Sequence, residues 1–289
     1  MKNRFLKSIC IATLLISFNV VSQENDAVKS NIQTYTPSKL LSKGQWDIKL
    51  FNNLYTETRG SYNGVNSDKA RETYFTSTID VFTGISDNNR LNIGLLLEYR
   101  SNTVNGKSAT AVFNFSEDAS SRNGLSSFAP AVKWQPISTI GNFSIQSAFH
   151  IPLFGDESDV NGVFLDQTAF TFQNRFFYDY TYPSGKWQLF TELNTEYNFG
   201  EEASFANNTF VLAPGIFMSY FPNDKTTVLG FVQHYQRIGD FMQDFTSVGF
   251  GGKYQLNTTL NLEVLYSKFV RGNDTGLGQS FNVGLRALF

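Results

Sequence analysis

The chain has 289 residues, 23 basic against 25 acidic, a formal charge of −2 and a single cysteine. Near-balanced charge leaves no basic stripe to neutralise phosphates and argues against a nucleic-acid partner, while one cysteine excludes a disulfide framework and cysteine-bound zinc. Aromatic residues reach 16% of the chain, with 29 Phe and 13 Tyr, yet mean hydropathy is only −0.22, so the chain is rich in rings without being oily.

Lys2, Arg4 and Lys7 precede an apolar run, Ile9 to Val21, that ends in Val20-Val21-Ser22. Charge first, then a short apolar stretch, then small residues is the layout of an export signal, and the run is too short to be a permanent membrane helix. Removal of residues 1–22 takes three positive charges and no negative ones, moving the formal charge from −2 to −5. Cys10 lies within this stretch, so the processed chain carries no thiol. Residues 23–43 are polar and irregular, with Pro37 near their end, and read as a periplasmic lead-in to one domain over 44–289.

No later apolar run approaches the ~18 residues of a membrane helix. A period of two appears instead. Leu91, Ile93, Leu95, Leu97 and Tyr99 alternate with Asn92, Gly94, Leu96, Glu98 and Arg100. Trp187, Leu189, Thr191 and Leu193 alternate with Gln188, Phe190, Glu192 and Asn194, and Leu260, Leu262, Val264 and Tyr266 with Asn261, Glu263, Leu265 and Ser267. Successive strand side chains point to opposite faces, so each segment has one apolar and one mainly polar side. The same reading gives twelve strands, near 45–57, 71–84, 90–102, 125–137, 142–153, 165–181, 186–198, 209–221, 226–237, 244–255, 259–270 and 278–289, with ten to fourteen compatible with the pattern. Most match the ~9–11 residues that cross a bilayer at a tilt. Short connections alternate with longer ones near 58–70, 103–124, 154–164, 199–208, 238–243 and 271–277. The fold class expected is therefore all-β: a single transmembrane, antiparallel up-and-down β-barrel in contact with outer-membrane lipid. Trp46, Tyr55, Tyr99, Trp134, Tyr178, Tyr180, Trp187, Tyr197, Tyr220, Tyr254 and Tyr266 fall near strand ends, where rings with a polar tip form girdles at the headgroup level.

Alternation places Lys49, Asp80, Glu98, Arg100, Lys133, Arg175, Glu192, Glu196, Lys253, Glu263 and Arg286 on inward faces, because a Lys or Arg facing lipid at mid-depth costs roughly 2–4 kcal/mol. His150 and His234 are read as lumen residues as well. Such a mixed-sign set suits either an ion-pair network filling a narrow barrel or a polar pore for a small solute without strong ion preference. No catalytic residue, metal site or cofactor is assigned. Neither His is followed by the His-x-Ser-Asn pattern that a barrel lipase carries, and neither has an acidic residue at a metal-like spacing. The longest loop, 103–124, contains Val112-Phe113-Asn114-Phe115 and is read as a constriction, an external ligand contact or a hairpin extension.

The last segment, with Phe281, Val283, Leu285, Ala287 and Phe289 on one face, resembles the C-terminal strand of bacterial outer-membrane proteins, and that resemblance implies recognition by the barrel-insertion machinery. Pro37-Ser38 before Gly44-Gln45-Trp46, and His150-Ile151-Pro152 before a Gly-Asp loop, resemble a family of outer-membrane transporters named for the MetA pathway of phenol degradation. The resemblance implies a barrel that passes an undefined small solute. A structural or adhesive barrel with a plugged lumen, and an outer-membrane hydrolase, are the alternatives.

Overall fold

A computed structural model describes residues 37–153, 163–165, 169–200 and 207–289. The expected signal, residues 1–22, and the lead-in up to residue 36 lie outside the described residues. The strands are β1 (Trp46–Tyr62), β2 (Val65–Gly84), β3 (Leu91–Thr103), β4 (Ser121–Trp134), β5 (Phe143–Pro152), β6 (Thr171–Thr181), β7 (Trp187–Asn198), β8 (Thr209–Asn223), β9 (Thr226–Gly239), β10 (Gln243–Gln255), β11 (Leu260–Asn273), the two-residue β12 (Thr275–Gly276) and β13 (Gln279–Leu288).

Twelve long strands pair antiparallel with their sequence neighbours, and β1 pairs with both β2 and β13. The sheet therefore closes on itself and leaves no long unpaired edge, as a membrane-spanning sheet requires when no water is present to satisfy backbone groups. The seam is in register from Asp47↔Leu288 to Thr56↔Gln279, and Trp46 and Phe289 exchange both backbone hydrogen bonds at its lower end. Among the described residues no helix is long and apolar enough to cross a membrane.

Register fixes the faces. Ile48, Leu50, Ile93, Leu95, Ile216, Val228, Val232, Val248, Phe250, Val264, Phe281 and Val283 share the outer face, and all are exposed, Phe250 to 65%. An apolar belt of this extent has no counterpart in a soluble sheet but is what a hydrocarbon solvent selects. Trp46, Trp134, Trp187, Tyr220 and Tyr254 lie on this outer face at the ends joined by short turns, termed periplasmic here by the convention of such barrels. Tyr55 does not belong to the girdle. It pairs with Tyr74 and Ser280 on the inner face.

The connections correct three expectations. The stretch 58–70 is not a loop: β1 and β2 extend to a two-residue turn, Asn63-Gly64, whose φ values of 49° and 76° fit the primed turn that matches strand twist. Stretch 103–124 does not enter the lumen: residues 121–124 extend β4 as a hairpin against the end of β3, and a 3-10 helix fills the rest. Its 3-10 helix, Ala109–Asn114, packs on the outer wall, where Val112 is buried, Ser101 donates to the Val112 carbonyl at 2.7 Å and Phe113 meets Phe75 edge-on. Lys107 donates to both oxygens of Asp118 at 2.7 Å, which holds that exposed carboxyl below its ordinary range. The expected start of the sixth strand at 165 also shifts, to Thr171.

Candidate functional site

The inner wall is built from the alternate positions of the twelve long strands. Near the periplasmic end it carries charge. Arg286 binds Asp47 through two hydrogen bonds of 2.7 Å, Arg175 donates to Glu192 at 2.8 Å, and Lys253 meets Glu263 at 2.7 Å. Lys49 lies directly opposite Asp80 on one neighbouring strand and Arg286 on the other, with its ammonium 4.7 Å from the centre of the Phe51 ring. Lys133 and Arg175 both sit over the ring of Phe177, at 5.3 and 5.1 Å. Higher up, Arg100 and Ser126 converge on Glu98, at 2.8 and 2.6 Å, and Gln173 links His150 (3.4 Å) to Glu196 (2.9 Å). The structure thus places Lys49, Asp80, Glu98, Arg100, Lys133, His150, Arg175, Glu192, Glu196, Lys253, Glu263 and Arg286 on one inner surface.

His234 is a correction. It pairs with Thr246 beside Val232↔Val248 on the outer face, and its Nδ1 lies 3.0 Å from Thr246 Oγ1. Its height explains the polarity. The position is well up β9, which starts at Thr226, where the lipid-facing surface gives way to the headgroup level and polar side chains cease to mark the lumen.

Two rows of inward rings went unread in the sequence. The lower row runs Phe177–Phe190–Phe217–Phe231 across β6 to β9, with successive centroids 6.0, 5.3 and 5.2 Å apart. The upper row runs Tyr74–Tyr55–Phe269–Phe245–Tyr235, at 6.2, 4.8, 4.1 and 4.9 Å, and bridges the barrel seam. The phenol hydroxyls of the upper row have partners along the wall: Tyr55 donates to Glu57 at 2.6 Å, Tyr74 to Glu72 at 2.7 Å, and Arg237 donates to the Tyr235 oxygen at 2.7 Å. Lys69 joins the two carboxylates at 2.8 Å each, which offsets the repulsion between Glu57 and Glu72 placed directly opposite. Gly278 makes the row possible, because a Cβ there would press on the Tyr55 ring. The signal for the lower row was available in an exception to alternation, Phe190 on a face otherwise polar.

Two backbone segments narrow the lumen. Val163 and Leu165, from the long connection between β5 and β6, are fully buried. Asn102 donates to the Phe164 carbonyl at 2.5 Å, Arg100 to the Leu165 carbonyl at 3.0 Å and Arg122 to the Val163 carbonyl at 3.4 Å, so three inward side chains of β3 and β4 hold this segment inside the wall. At the other end the chain before β1 turns inward. Leu41 is fully buried and its N–H donates to Asn92 at 3.2 Å, while Lys133 donates to the Lys39 carbonyl at 3.1 Å.

Comparison with known proteins agrees with this architecture. An outer membrane channel from Pseudomonas putida F1 superposes with a TM-score of 0.69 at 11% identity, over 92% of this chain and 100% of that one. The β domain of the Bordetella autotransporter BrkA gives a TM-score of 0.50 at 13% identity, over 83% of this chain and 98% of that one. At these identities the likeness shows the fold, an outer-membrane β-barrel. No curated protein matches the sequence. The family described as "Putative MetA-pathway of phenol degradation" matches residues 71–287, and the chain belongs to that family.

Proposed function

We propose that the barrel is an outer-membrane channel that lets small solutes pass through its lumen, and that ring-bearing solutes are favoured. The observation that carries this reading is the composition of the inner wall: charged and hydrogen-bonding groups on every side, interrupted by two continuous rows of aromatic rings. A purely structural barrel has no need of such rows, because water or aliphatic side chains fill a lumen equally well. Since the hydroxyls of the upper row have wall partners, the row offers mainly ring edges and carbon, which suits a planar apolar solute better than a sugar. Fold kinship with an outer membrane channel and a family named for phenol degradation support the same reading.

The charged residues act as a neutral guide in this account. Asp47, Glu98, Glu192 and Glu263 are each matched by an ion pair, and Lys69 bridges Glu57 and Glu72, which leaves little net field along the path and predicts weak selectivity between anions and cations. No catalytic role is proposed, since His150 bonds Gln173 and no described serine joins it. Recognition of the outward Phe281, Val283, Leu285, Ala287 and Phe289 by the insertion machinery is part of the same proposal, as is removal of residues 1–22 on export.

The inward segments at 38–44 and 163–165 favour one rival, a plugged barrel. Single-channel recording in a planar bilayer separates the two. The channel reading expects discrete conductance steps, interrupted by brief blocks when toluene is added, and shorter blocks in Phe245→Ala and Phe269→Ala. A silent barrel would favour the plug.

A further inference from the structure

Four neighbouring strands bring hydrogen-bond donors together beside the lower ring row. Asn92 on β3, Lys133 on β4, Gln146 on β5 and Arg175 on β6 are partners in register, so their side chains stand side by side on the inner wall. Ser144, two residues before Gln146 on the same face, pairs with Phe177 of the ring row. The Lys133 ammonium and the Arg175 guanidinium both lie over that ring, at 5.3 and 5.1 Å.

The row carries a surplus of donors. Arg175 is matched by Glu192 at 2.8 Å, and Asp47 is committed to Arg286 at 2.7 Å. Among the described residues Lys133 has no carboxylate partner, and its ammonium donates to the Lys39 carbonyl at 3.1 Å. Lys133 is only 7% exposed and Gln146 6%, while Asn92 and Ser144 are fully buried. Asn92 accepts from the Leu41 N–H through Oδ1, which leaves its Nδ2 without a partner, and Gln146 Nε2 and Ser144 Oγ have none either. A buried donor without an acceptor costs stability, and a buried cation without a counter-charge costs more. A network that merely filled the lumen would close on itself, as Arg286 and Asp47 do. One cation flanked by three unmatched donors is instead the complement of an anionic oxygen pair.

We infer that this row is a solute subsite for aromatic carboxylates, with the carboxylate taken by Lys133 and Gln146 and the ring lying along Phe177 and Phe190. The inference rests on the channel reading and names a solute class for it. A carboxylate accepts about four hydrogen bonds on its two oxygens, and a bond from an ammonium is among the strongest it makes. The adjoining rings supply the stacking surface for the rest of the solute. A neutral ring would leave Lys133 unmatched, and a sugar would bring no charge. The preference is local to these strands, so it does not make the near-neutral pore anion-selective.

The test uses the full, processed protein. Calorimetric titration in detergent micelles near neutral pH compares benzoate with benzamide, which keeps the ring and loses the charge, and with cyclohexanecarboxylate, which does the reverse. Conductance and its block by the same compounds are recorded in planar bilayers. The variants are Gln146→Leu, Lys133→Met and Lys133→Arg, each checked for heat-modifiable gel mobility as the sign of a folded barrel. Benzoate is expected to bind at least about tenfold more tightly than either control and to give longer blocks than benzamide. Gln146→Leu and Lys133→Met are each expected to weaken benzoate roughly tenfold with benzamide unchanged, and Lys133→Arg to restore most of the loss. Gln146→Leu leaves the bond from Lys133 to the Lys39 carbonyl intact, so its loss cannot come from a shift of the chain before β1. Equal binding of benzoate and benzamide to a native barrel that conducts overturns the subsite and leaves the channel reading standing. Equal binding of benzoate and cyclohexanecarboxylate overturns the aromatic class. Discrimination that survives in both Gln146→Leu and Lys133→Met overturns the assignment to these residues. A native barrel that never conducts removes the channel reading, and a solute subsite falls with it even if benzoate binds.

Discussion

Val264 and Leu265 are consecutive on β11 and meet different solvents. Val264 pairs with Val283 on the exposed outer face, and Leu265 pairs with Asn282 on the inner one. Arginine at 264 has to desolvate in hydrocarbon, whereas at 265 it enters a surface already lined with ion pairs. We expect Val264→Arg to cost ~2–4 kcal/mol of barrel stability and Leu265→Arg less than half as much, measured by reversible denaturant unfolding in lipid vesicles. Equal costs would mean that the face assignment is wrong. This distinction was legible in the sequence at mid-strand, where hydrocarbon outside and water inside impose opposite chemistry. It failed at His234 and Tyr55, both near the long-loop ends. There the outer surface meets headgroups and the inner one carries rings, so polarity no longer reports direction.

Arg286 and Asp47 show the same logic across the seam. Their two hydrogen bonds link β13 to β1, the strands farthest apart in sequence. Removing one partner leaves the other charge poorly solvated against the wall. Arg286→Met is therefore predicted to destabilise by ~1–3 kcal/mol, and the double variant with Asp47→Leu to recover a large part of that loss. An additive double variant would show that the pair is screened by lumen water.

At the scale of elements, the β1–β2 hairpin isolates the contribution of a turn. A Cβ on Gly64 would touch nothing within 4 Å, so any loss on substitution comes from its φ of 76° and not from packing. Gly64→Val is expected to cost ~1–2 kcal/mol, and an unchanged unfolding midpoint would show that this tip is not ordered. The neighbouring loop also pins the turn, since the Asn63 and Gly64 backbone N–H groups donate to Asp274 and Asn273 at 3.0 and 3.1 Å. The Asn63-Gly64 pair is a hairpin signal legible in the sequence, masked by the polar residues on either side of it that resemble a long outer loop. The count of twelve long strands and their alternating directions were readable because each strand must span the same hydrocarbon thickness. What the sequence withheld was the path of the irregular backbone. Val163-Phe164-Leu165 and Leu40-Leu41 are short apolar runs in polar surroundings, and only tertiary contacts decide that they turn inward while Val112 turns to the outer wall.

For the whole molecule, closure and solvent reversal are one statement. A sheet whose long strands all have two neighbours can expose apolar residues outward only if its surroundings are lipid, and it then has an interior free to be polar. The ion pairs, the ring rows and the two inward segments are furnishings of that interior, and their roles follow from the division between the two faces.

Cysteine scanning along β11, one residue at a time from 260 to 269, examines that division directly. Each variant is reconstituted in vesicles and exposed either to a water-soluble maleimide or to a bilayer-confined quencher acting on a thiol-linked fluorophore. The account predicts a period of two: quenching from lipid at 262, 264 and 266, and aqueous labelling at 261, 263, 265 and 267. A reagent pattern that runs through consecutive residues, or one with its phase reversed, would contradict it.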